Sequence, residues 1–184
     1  MATAVGRATL GAASRTVVRS VRLRRRRAFL AACHNGAVHY TEYDTRLAAY
    51  AVVTDDEGRV LLALWNEGSR RQWTLPGGGL ELHERAEDGA VREVLEESGY
   101  DVEIDELLGV DSYVFPAERR SVPTDRPMKA FRVLYRAHVT GGELTHERDG
   151  STDEAAWFHV SEVAGLDRVS VVDVGLRMAG LLLR

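Results

Sequence analysis

The stretch PGGGLELHERAEDGAVREVLEESGY, residues 76–100, places three consecutive glycines before a segment crowded with acidic residues. Glu93, Glu96 and Glu97 lie within five positions of one another. Like charges four residues apart destabilise a helix by roughly 0.3 kcal/mol, so this crowding calls for a compensating cation. Carboxylate oxygens are the ligands that hard divalent ions such as Mg²⁺ and Mn²⁺ prefer. The segment therefore predicts a divalent-metal site.

We expect a helix from Glu84 to Ser98, with Gly99 as the left-handed residue that ends it. On a helical wheel the three glutamates fall within an arc of about 100° and form one acidic ridge. The opposite side carries three apolar residues that we expect to face the core: Val91, Val94 and Leu95. Arg92 lies four residues before Glu96 and can brace a neighbouring carboxylate through a charge-assisted hydrogen bond.

The three glycines indicate a second role for this stretch, the binding of a ligand by the backbone. Gly77, Gly78 and Gly79 can adopt backbone conformations closed to other residues and let a ligand approach the main chain closely. Exposed amides in such a segment attract phosphate, and a backbone carbonyl there can face a metal. Phosphate-binding backbone beside a carboxylate site favours phosphoryl chemistry on a diphosphate. In such chemistry a metal polarises the phosphoryl oxygens and lowers the pKa of the attacking water.

The rest of the chain predicts one mixed α/β domain. We expect strands at 47–55 and 59–65, joined as a hairpin, and a short strand that ends in the glycines. After the helix, strands are expected within 102–115, at 129–139 and within 153–160. A short helical turn is expected near 161–166, and a terminal helix is expected within 170–183. Strands on both sides of a central helix, with a second helix at the end, indicate a mixed α/β sandwich.

The spacing of the opening stretch is highly specific. Five residues separate Gly78 from Glu84, and seven more lead to the run Arg92-Glu93-Val94-Leu95-Glu96-Glu97-Ser98-Gly99-Tyr100. This pattern resembles the signature of the Nudix hydrolases, G-x5-E-x7-R-E-U-x-E-E-x-G-U, where U is a bulky aliphatic residue. Every polar and glycine position matches. Tyr100 replaces the last aliphatic residue, and His83 stands where many members have glycine.

The resemblance implies a Nudix-type α/β/α sandwich with a mixed β-sheet, covering about residues 47–182. It implies catalytic roles for Glu93, Arg92 and Glu97. It implies Mg²⁺ or Mn²⁺ on Glu93, Glu96, Glu97 and the carbonyl of Gly77 or Gly78, with Glu93 as either a ligand or the base. Glu84, Gly78 and Gly79 would support this site. In some members the base lies on a later loop, and the candidates here are Glu147, Asp149, Asp153 and Glu154.

Weaker signals concern the substrate. Trp73 precedes the glycines and is suited either to stacking on a base or to packing within its strand. Arg70 and Arg71 lie in a loop where they could meet phosphate or solvent. Tyr113 and Pro116 lie thirteen and sixteen residues beyond the signature, where the family carries markers of substrate class. Pro116 fits the marker of ADP-ribose hydrolases better than Tyr113 fits that of diadenosine polyphosphate hydrolases.

Charge is unevenly distributed along the 184 residues, whose formal net charge is −4. Residues 1–41 hold eight arginines and no acid, which leaves −4 − 8 = −12 for the remainder. An acidic body is not the footprint of a nucleic-acid-binding domain. Cys33 is the only cysteine, so an intramolecular disulfide and a cysteine-based zinc site are excluded. No apolar run approaches the roughly 20 residues of a membrane span.

We divide the chain into a basic N-terminal extension, residues 1–43, and a Nudix hydrolase domain, residues 44–184. The extension has three interpretations: a disordered tail, which we expect, an organellar transit peptide, or a basic arm for RNA or anionic lipid centred on Arg24–Arg27. The single cysteine allows a reducing compartment, and we expect a cytoplasmic location.

By the resemblance, we expect an enzyme that hydrolyses a pyrophosphate bond in a nucleoside diphosphate linked to another moiety. The substrate class includes nucleoside triphosphates, ADP-ribose-like molecules and dinucleotides. We expect no DNA-binding domain and no membrane span, and a homodimer is compatible with the sequence. The alternatives are a non-catalytic nucleotide-binding or regulatory protein of the same fold and an RNA 5′-end pyrophosphohydrolase. An isomerase of the isopentenyl diphosphate type fits poorly because it needs a cysteine within the domain.

Overall fold

The computed structural model describes residues 38–67, 70–120, 122–146 and 150–182. These residues form seven strands, two α-helices and two short 3-10 helices. The strands are β1 Asp44–Val53, β2 Arg59–Trp65, β3 Gln72–Thr74, β4 Gly77–Gly79, β5 Tyr100–Phe115, β6 Met128–Gly142 and β7 Thr152–His159. The α-helices are α1 Ala86–Ser98 and α2 Ser170–Met178, and the 3-10 helices are Ala117–Arg119 and Val163–Gly165. Residues 1–37, for which the sequence allows three interpretations, lie outside the described residues.

The larger sheet has four strands in the order β4-β1-β6-β5. Strands β1 and β6 run parallel, whereas β4 pairs with β1 and β5 pairs with β6 in antiparallel fashion. The sheet is therefore mixed, as predicted. The glycine strand β4 lies at one edge, and the long strand β5 lies at the other.

A second sheet contains β3, β2 and β7, all antiparallel. The predicted hairpin between the first two strands is therefore wrong, because β1 and β2 belong to different sheets and share a single bridge, Thr54 with Val60. The expected single strand ending in the glycines is also divided. Leu75 and Pro76 interrupt it, and β3 and β4 join different sheets. Local apolar pattern cannot show this division, because the two strands have three residues each and follow one another along the chain.

The two helices cover opposite faces of the larger sheet. One face packs Ala51 and Val53 of β1 against Val94 of α1. The other face packs Val52 of β1 against Leu176 of α2. Side chains alternate between the faces of a strand, so β1 contributes to both cores. This arrangement is the α/β/α sandwich that the sequence predicted.

The helix α1 begins two residues later than expected and ends as expected. Gly99 follows it with φ of 74°, and its N–H donates to the carbonyl of Leu95. The predicted orientation is wrong in one respect: Leu95 is 46% exposed, whereas Val94 is fully buried. The buried face of α1 is marked by small residues and one acid: Gly89, Ala90, Val94, Glu97 and Ser98.

Neither helix that the structure describes has the length and apolar composition of a membrane span.

Candidate active site

The glycines of β4 are required by close contacts with their neighbours. Gly77 has φ of 142°, and a side chain there would collide with the carbonyl of Ala49 and the ring of Tyr50. A Cβ atom at Gly78 would lie 2.7 Å from both carboxylate oxygens of Glu93. The absence of side chains thus lets α1 bring a carboxylate directly against the backbone of the edge strand.

Glu97 connects the helix to the same strand. The N–H of Gly77 donates a 2.9 Å hydrogen bond to Oε2 of Glu97. Glu97 is only 3% exposed. Carboxylates are rarely buried unless polar partners compensate for their lost hydration, and this hydrogen bond supplies such a partner. Val94 lies one turn before Glu97 on the same side of α1 and belongs to the core, so packing fixes the rotation of α1 about its axis. Glu93 and Glu97 therefore meet the glycine strand at defined positions.

Arg92 links the acidic residues of this stretch. Its Nε and Nη2 atoms donate to the two carboxylate oxygens of Glu84, at 2.8 and 3.0 Å. Nη1 donates to Glu93 at 3.0 Å and to Glu96 at 2.8 Å. Nη2 also donates to the carbonyl of Gly79 at 3.2 Å. One planar guanidinium thus holds three carboxylates and the glycine strand, which an ammonium group could not do.

These hydrogen bonds shift the pKa values of both Glu84 and Arg92. The hydrogen bonds from Arg92, then the N–H of Glu81, lower the pKa of Glu84 from 4.5 to about 2. The pKa of Arg92 is raised above its ordinary value, first by the hydrogen bond to Glu84, although burial acts in the opposite direction. Both groups therefore stay charged throughout the ordinary pH range.

The donor set fits a hard divalent ion in its chemistry, but the ligands are not assembled as a cluster. In the described part of the chain, no three Asp, Glu, His or Cys side chains form a group that could hold a metal ion. The three glutamates therefore do not form the single exposed acidic ridge that the sequence predicted. Glu97 is buried at the glycine strand, whereas the Glu96 side chain is 50% exposed and pairs with Arg92. Glu93 and Glu97 nevertheless present carboxylate oxygens beside glycine backbone, the donors that Mg²⁺ and Mn²⁺ accept.

The residues predicted to meet substrate have other partners. Trp73 packs edge-on against Phe158, with ring centroids 4.6 Å apart, so packing explains its position. Arg70 pairs with Asp167 at 3.2 Å. Arg71 pairs with Asp153 at 2.8 Å. The structure thus does not bring these three side chains to the glycine strand.

The candidate bases beyond the signature are only partly described. Asp153 also accepts a 2.6 Å hydrogen bond from Asn66, and Glu154 is exposed on β7. Glu147 and Asp149 lie outside the described residues. His83 is exposed in the turn before α1, and none of the hydrogen bonds described for Arg92 involves it.

Sequence reasoning overlooked the face of β1 that lies beside the glycines. Tyr50 contacts the position where a Gly77 side chain would be, and the Arg46 guanidinium lies 3.6 Å from the corresponding position at Gly79. Burial raises the pKa of Tyr50; Arg46 and Arg132 lower it, and Glu97 and Glu93 raise it. Arg46 lies one residue before the strand predicted at 47–55, whereas β1 begins at Asp44, so period-two alternation groups Arg46 with Tyr50 only once the strand is extended towards its N-terminus.

Comparisons with known proteins identify the family. The model of the NUDIX domain matches residues 44–173. A putative mutator protein MutT4 of Mycobacterium tuberculosis is 34% identical over 120 residues, which are 65% of this chain and 41% of that protein. A putative ADP-ribose pyrophosphatase YjhB of Bacillus subtilis is 31% identical over 102 residues, 55% of this chain and 45% of that protein. The chain thus spans less than half the length of these curated relatives.

A solved NUDIX hydrolase from Nitrosomonas europaea shares the fold. Its TM-score is 0.62 at 21% identity, and the match covers 74% of this chain and 89% of that chain. At this identity the likeness supports the architecture alone. The domain match, by contrast, includes the glycine strand, α1 and both sheets. The chain therefore belongs to the Nudix hydrolase family.

Proposed function

We propose that this protein is a divalent-metal-dependent hydrolase that cleaves a pyrophosphate bond in a nucleoside diphosphate derivative through attack of water at phosphorus. One observation carries the proposal: the carboxylates of Glu93 and Glu97 lie directly against the glycine strand. Carboxylate oxygens of the kind that a divalent ion accepts therefore lie beside the backbone that we propose to meet the phosphates.

The residues have separate tasks in this proposal. Glu96 and Glu97, with Glu93 and a carbonyl of Gly77 or Gly78, would hold Mg²⁺ or Mn²⁺. When bound, such an ion polarises phosphoryl oxygens and lowers the pKa of water. Glu93 serves as a further ligand or as the base that accepts the water proton. Its 3.0 Å hydrogen bond from Arg92 orients the carboxylate for either task.

Arg92 and Glu84 are proposed to position the other groups. Arg92 holds Glu84 and Glu93 simultaneously, and it also reaches the carbonyl of Gly79. Glu84 caps the N–H of Glu81 at 3.0 Å, which fastens the turn before α1. Residues 44–184 are proposed as the hydrolytic domain, with residues 1–43 as an extension that hydrolysis of small nucleotides does not require.

The substrate is proposed to be a nucleoside diphosphate linked to another moiety. The matched B. subtilis protein is named for ADP-ribose, so ADP-ribose is the first compound to test. Nucleoside triphosphates and dinucleoside polyphosphates test the two neighbouring classes. A regulatory protein of the same fold would bind such compounds without turnover.

The decisive experiment incubates the full chain with this panel and Mg²⁺ or Mn²⁺, and measures product masses and phosphate release. Products from ¹⁸O-labelled water identify the phosphorus that is attacked. We expect metal-dependent cleavage within the pyrophosphate link. Binding without cleavage of any compound, with either ion, would contradict the proposal and favour the regulatory alternative.

A further inference from the structure

The long strand β5 is paired along one side only. It lies at the edge of the larger sheet, and β6 is its one neighbour among the strands that the structure describes. The other side of an edge strand presents unpaired N–H and C=O groups, to which a strand of another chain can add. At 16 residues, β5 is also the longest of the described strands. Its free side is therefore a candidate surface for association.

The first half of β5 carries features that oppose such pairing. Its register with β6 shifts at three places between Asp101 and Gly109. Four acidic residues are exposed along the same half: Asp101, Glu103, Asp105 and Glu106. Bulges that bend an edge and charges that line it are the usual protection against strand addition. This half is therefore unsuited to pairing with an identical half.

The second half of β5, residues 109–115, lacks these features. Each of its residues pairs in turn with β6, without a shift in register. Val110 is 46% exposed, and Val114 is 57% exposed. The single acid of this half, Asp111, is held by Arg132 of β6. Valine and aromatic residues favour a paired strand, so this half is an apolar edge that the described fold leaves unprotected.

Both valines lie on the same face of the sheet as α1. Val110 pairs with Val133, which packs with Ala90 of α1. Side chains four positions apart on a strand point to the same side, so Val114 shares this face. The helix does not cover the two valines, since both remain exposed. A strand added at the edge would bring side chains of its own against them.

The charges along β5 and after it favour a second copy of this chain as the added strand. The acidic half comes first, and an exposed basic residue, Arg119, follows the apolar half. Within the described part of the chain, no ion pair involves Arg119. Arg119 and Asp105 each lie seven positions from Ser112. In an antiparallel pair with Ser112 opposite Ser112, Arg119 of each copy therefore lies near Asp105 of the other, and opposite charges attract.

The same alignment suits the apolar residues. Val110 and Val114 are each two positions from Ser112, so Val110 of one copy lies opposite Val114 of the other. Side chains directly opposite across an antiparallel pair are roughly 5 Å apart and pack together. A parallel pair would instead place the two acidic halves side by side, where like charges repel. The antiparallel pair is also closed, because each copy gives and receives the same contacts.

We propose that two copies of this chain associate through residues 109–115 of β5, paired antiparallel about a twofold axis at Ser112. The two larger sheets then become one continuous sheet. Strand β4 lies at the opposite edge of each sheet, so the association does not rest on the proposed hydrolysis. So short a paired segment forms a smaller interface than the roughly 1,600 Å² of a standard one. We therefore expect a reversible dimer with a dissociation constant on the order of 10 µM.

Analytical ultracentrifugation of the full chain tests the proposal between about 1 and 100 µM. We expect the average mass to rise from 20.4 kDa towards twice that value as the concentration increases. A mass that stays at 20.4 kDa throughout overturns the proposal. Growth past two copies without a limit also overturns it, because it indicates open-ended aggregation rather than a closed pair.

Hydrogen exchange locates the contact. Amides within 109–115 should exchange more slowly at high concentration, whereas those of the turn at 55–58 should not change. A dimer in which exchange at 109–115 is independent of concentration uses another surface and contradicts the assignment. A monomer in which every amide of 109–115 exchanges slowly identifies another segment of the chain as the occupant of this edge, and it contradicts the proposal as well.

A lysine at the edge tests the role of the valines. Val114→Lys should weaken the dimer at least about tenfold, because an apolar contact is replaced by a charge that loses hydration. Leu82→Lys is the matched control, since Leu82 is 90% exposed in the turn before α1, and it should leave association unchanged. Equal association of the two variants contradicts the proposal. Circular dichroism spectra and thermal midpoints verify that the variants are folded.

A charge exchange tests the alignment. Arg119→Asp should weaken the dimer about threefold to tenfold, because Asp105 would then meet a like charge. Adding Asp105→Arg to this variant restores the attraction across the twofold axis and should recover most of the affinity. Arg85→Asp, at an exposed arginine outside β5, is the control and should not weaken association. No loss in Arg119→Asp, or no recovery in the double variant, overturns the antiparallel alignment at Ser112.

Discussion

The backbone N–H of Gly77 donates a 2.9 Å hydrogen bond to the buried carboxylate of Glu97. This bond joins the edge strand β4 to the last turn of α1. It explains why an acid lies on the buried face of the helix beside Val94. A charge in this position has a defined location relative to the glycine backbone, as metal and phosphate chemistry requires.

Glu97→Gln is expected to reduce kcat by orders of magnitude while the fold survives. Glutamine has the same size and keeps an oxygen that can accept from the Gly77 N–H, but it lacks the negative charge that a metal ligand provides. Steady-state kinetics and thermal unfolding measure the two effects separately. Glu103→Gln, at an exposed position on β5, is the control. Wild-type turnover in the Glu97 variant would refute its proposed role.

Gly78→Ala is expected to abolish most activity at little cost in stability, because the new methyl group displaces the Glu93 carboxylate, which is the far end of a flexible side chain. The new methyl group would lie 2.7 Å from both oxygens of Glu93. Chemical denaturation gives the change in free energy of unfolding. Gly165→Ala is a matched control, since nothing lies within 4 Å of its Cβ position. Equal activity in the two variants would show that the Gly78–Glu93 contact is unimportant.

Arg92→Lys is expected to reduce both stability and turnover although the charge is retained. Lysine cannot reproduce the planar fork that reaches Glu84, Glu93 and Gly79 together. We expect a loss of about 1–3 kcal/mol in the free energy of unfolding, the usual effect of removing hydrogen bonds to charged groups. Arg177→Lys, on the exposed side of α2, should be neutral. A neutral Arg92→Lys variant is incompatible with the positioning role.

Glu84→Gln is expected to lose stability in a pH-dependent way. The folded pKa of about 2 lies below the ordinary 4.5, so the ionised form is favoured by folding. Its stabilisation is fully present above pH 4.5 and is lost as the pH falls through 2. Urea denaturation in metal-free buffer should therefore show a difference between wild type and Glu84→Gln at pH 6 that shrinks towards pH 2. A difference that grows on acidification would reverse the assigned sign.

Removal of residues 1–37 is expected to leave cleavage of small nucleotides unchanged. The glycine strand, α1 and every contact of Arg92 lie within residues 76–100. Kinetics of full-length and shortened proteins on ADP-ribose test this expectation. Salt-dependent binding of RNA by the full chain, lost on truncation, would instead favour the RNA 5′-end alternative.

Much of the site was predictable because its residues are close in sequence. Gly78, Glu84, Arg92, Glu93 and Glu97 fall within twenty residues, and helical periodicity relates the last three. The orientation of α1 was harder to predict, because Leu95 is apolar and yet exposed. The buried face instead follows small residues such as Gly89 and Ala90, which allow the helix to approach Leu80 and the sheet.

Contacts between distant segments could not be predicted in the same way. Arg46 and Tyr113 are sixty-seven positions apart in the chain, and only the register of three strands aligns them. Trp73 illustrates the converse, since its position beside the glycines in sequence does not place its ring beside them in space. Leu75 and Pro76 divide that segment between two sheets.

The sequence by itself determined which groups are available: oxygen donors and glycines at a spacing that helix geometry brings together. Tertiary structure decided which of these donors is buried, which is held by Arg92, and which strand they meet. The physical reason is that a helix relates residues three or four positions apart through its own backbone. Burial and strand register, in contrast, depend on packing between segments that the chain brings together only when it folds.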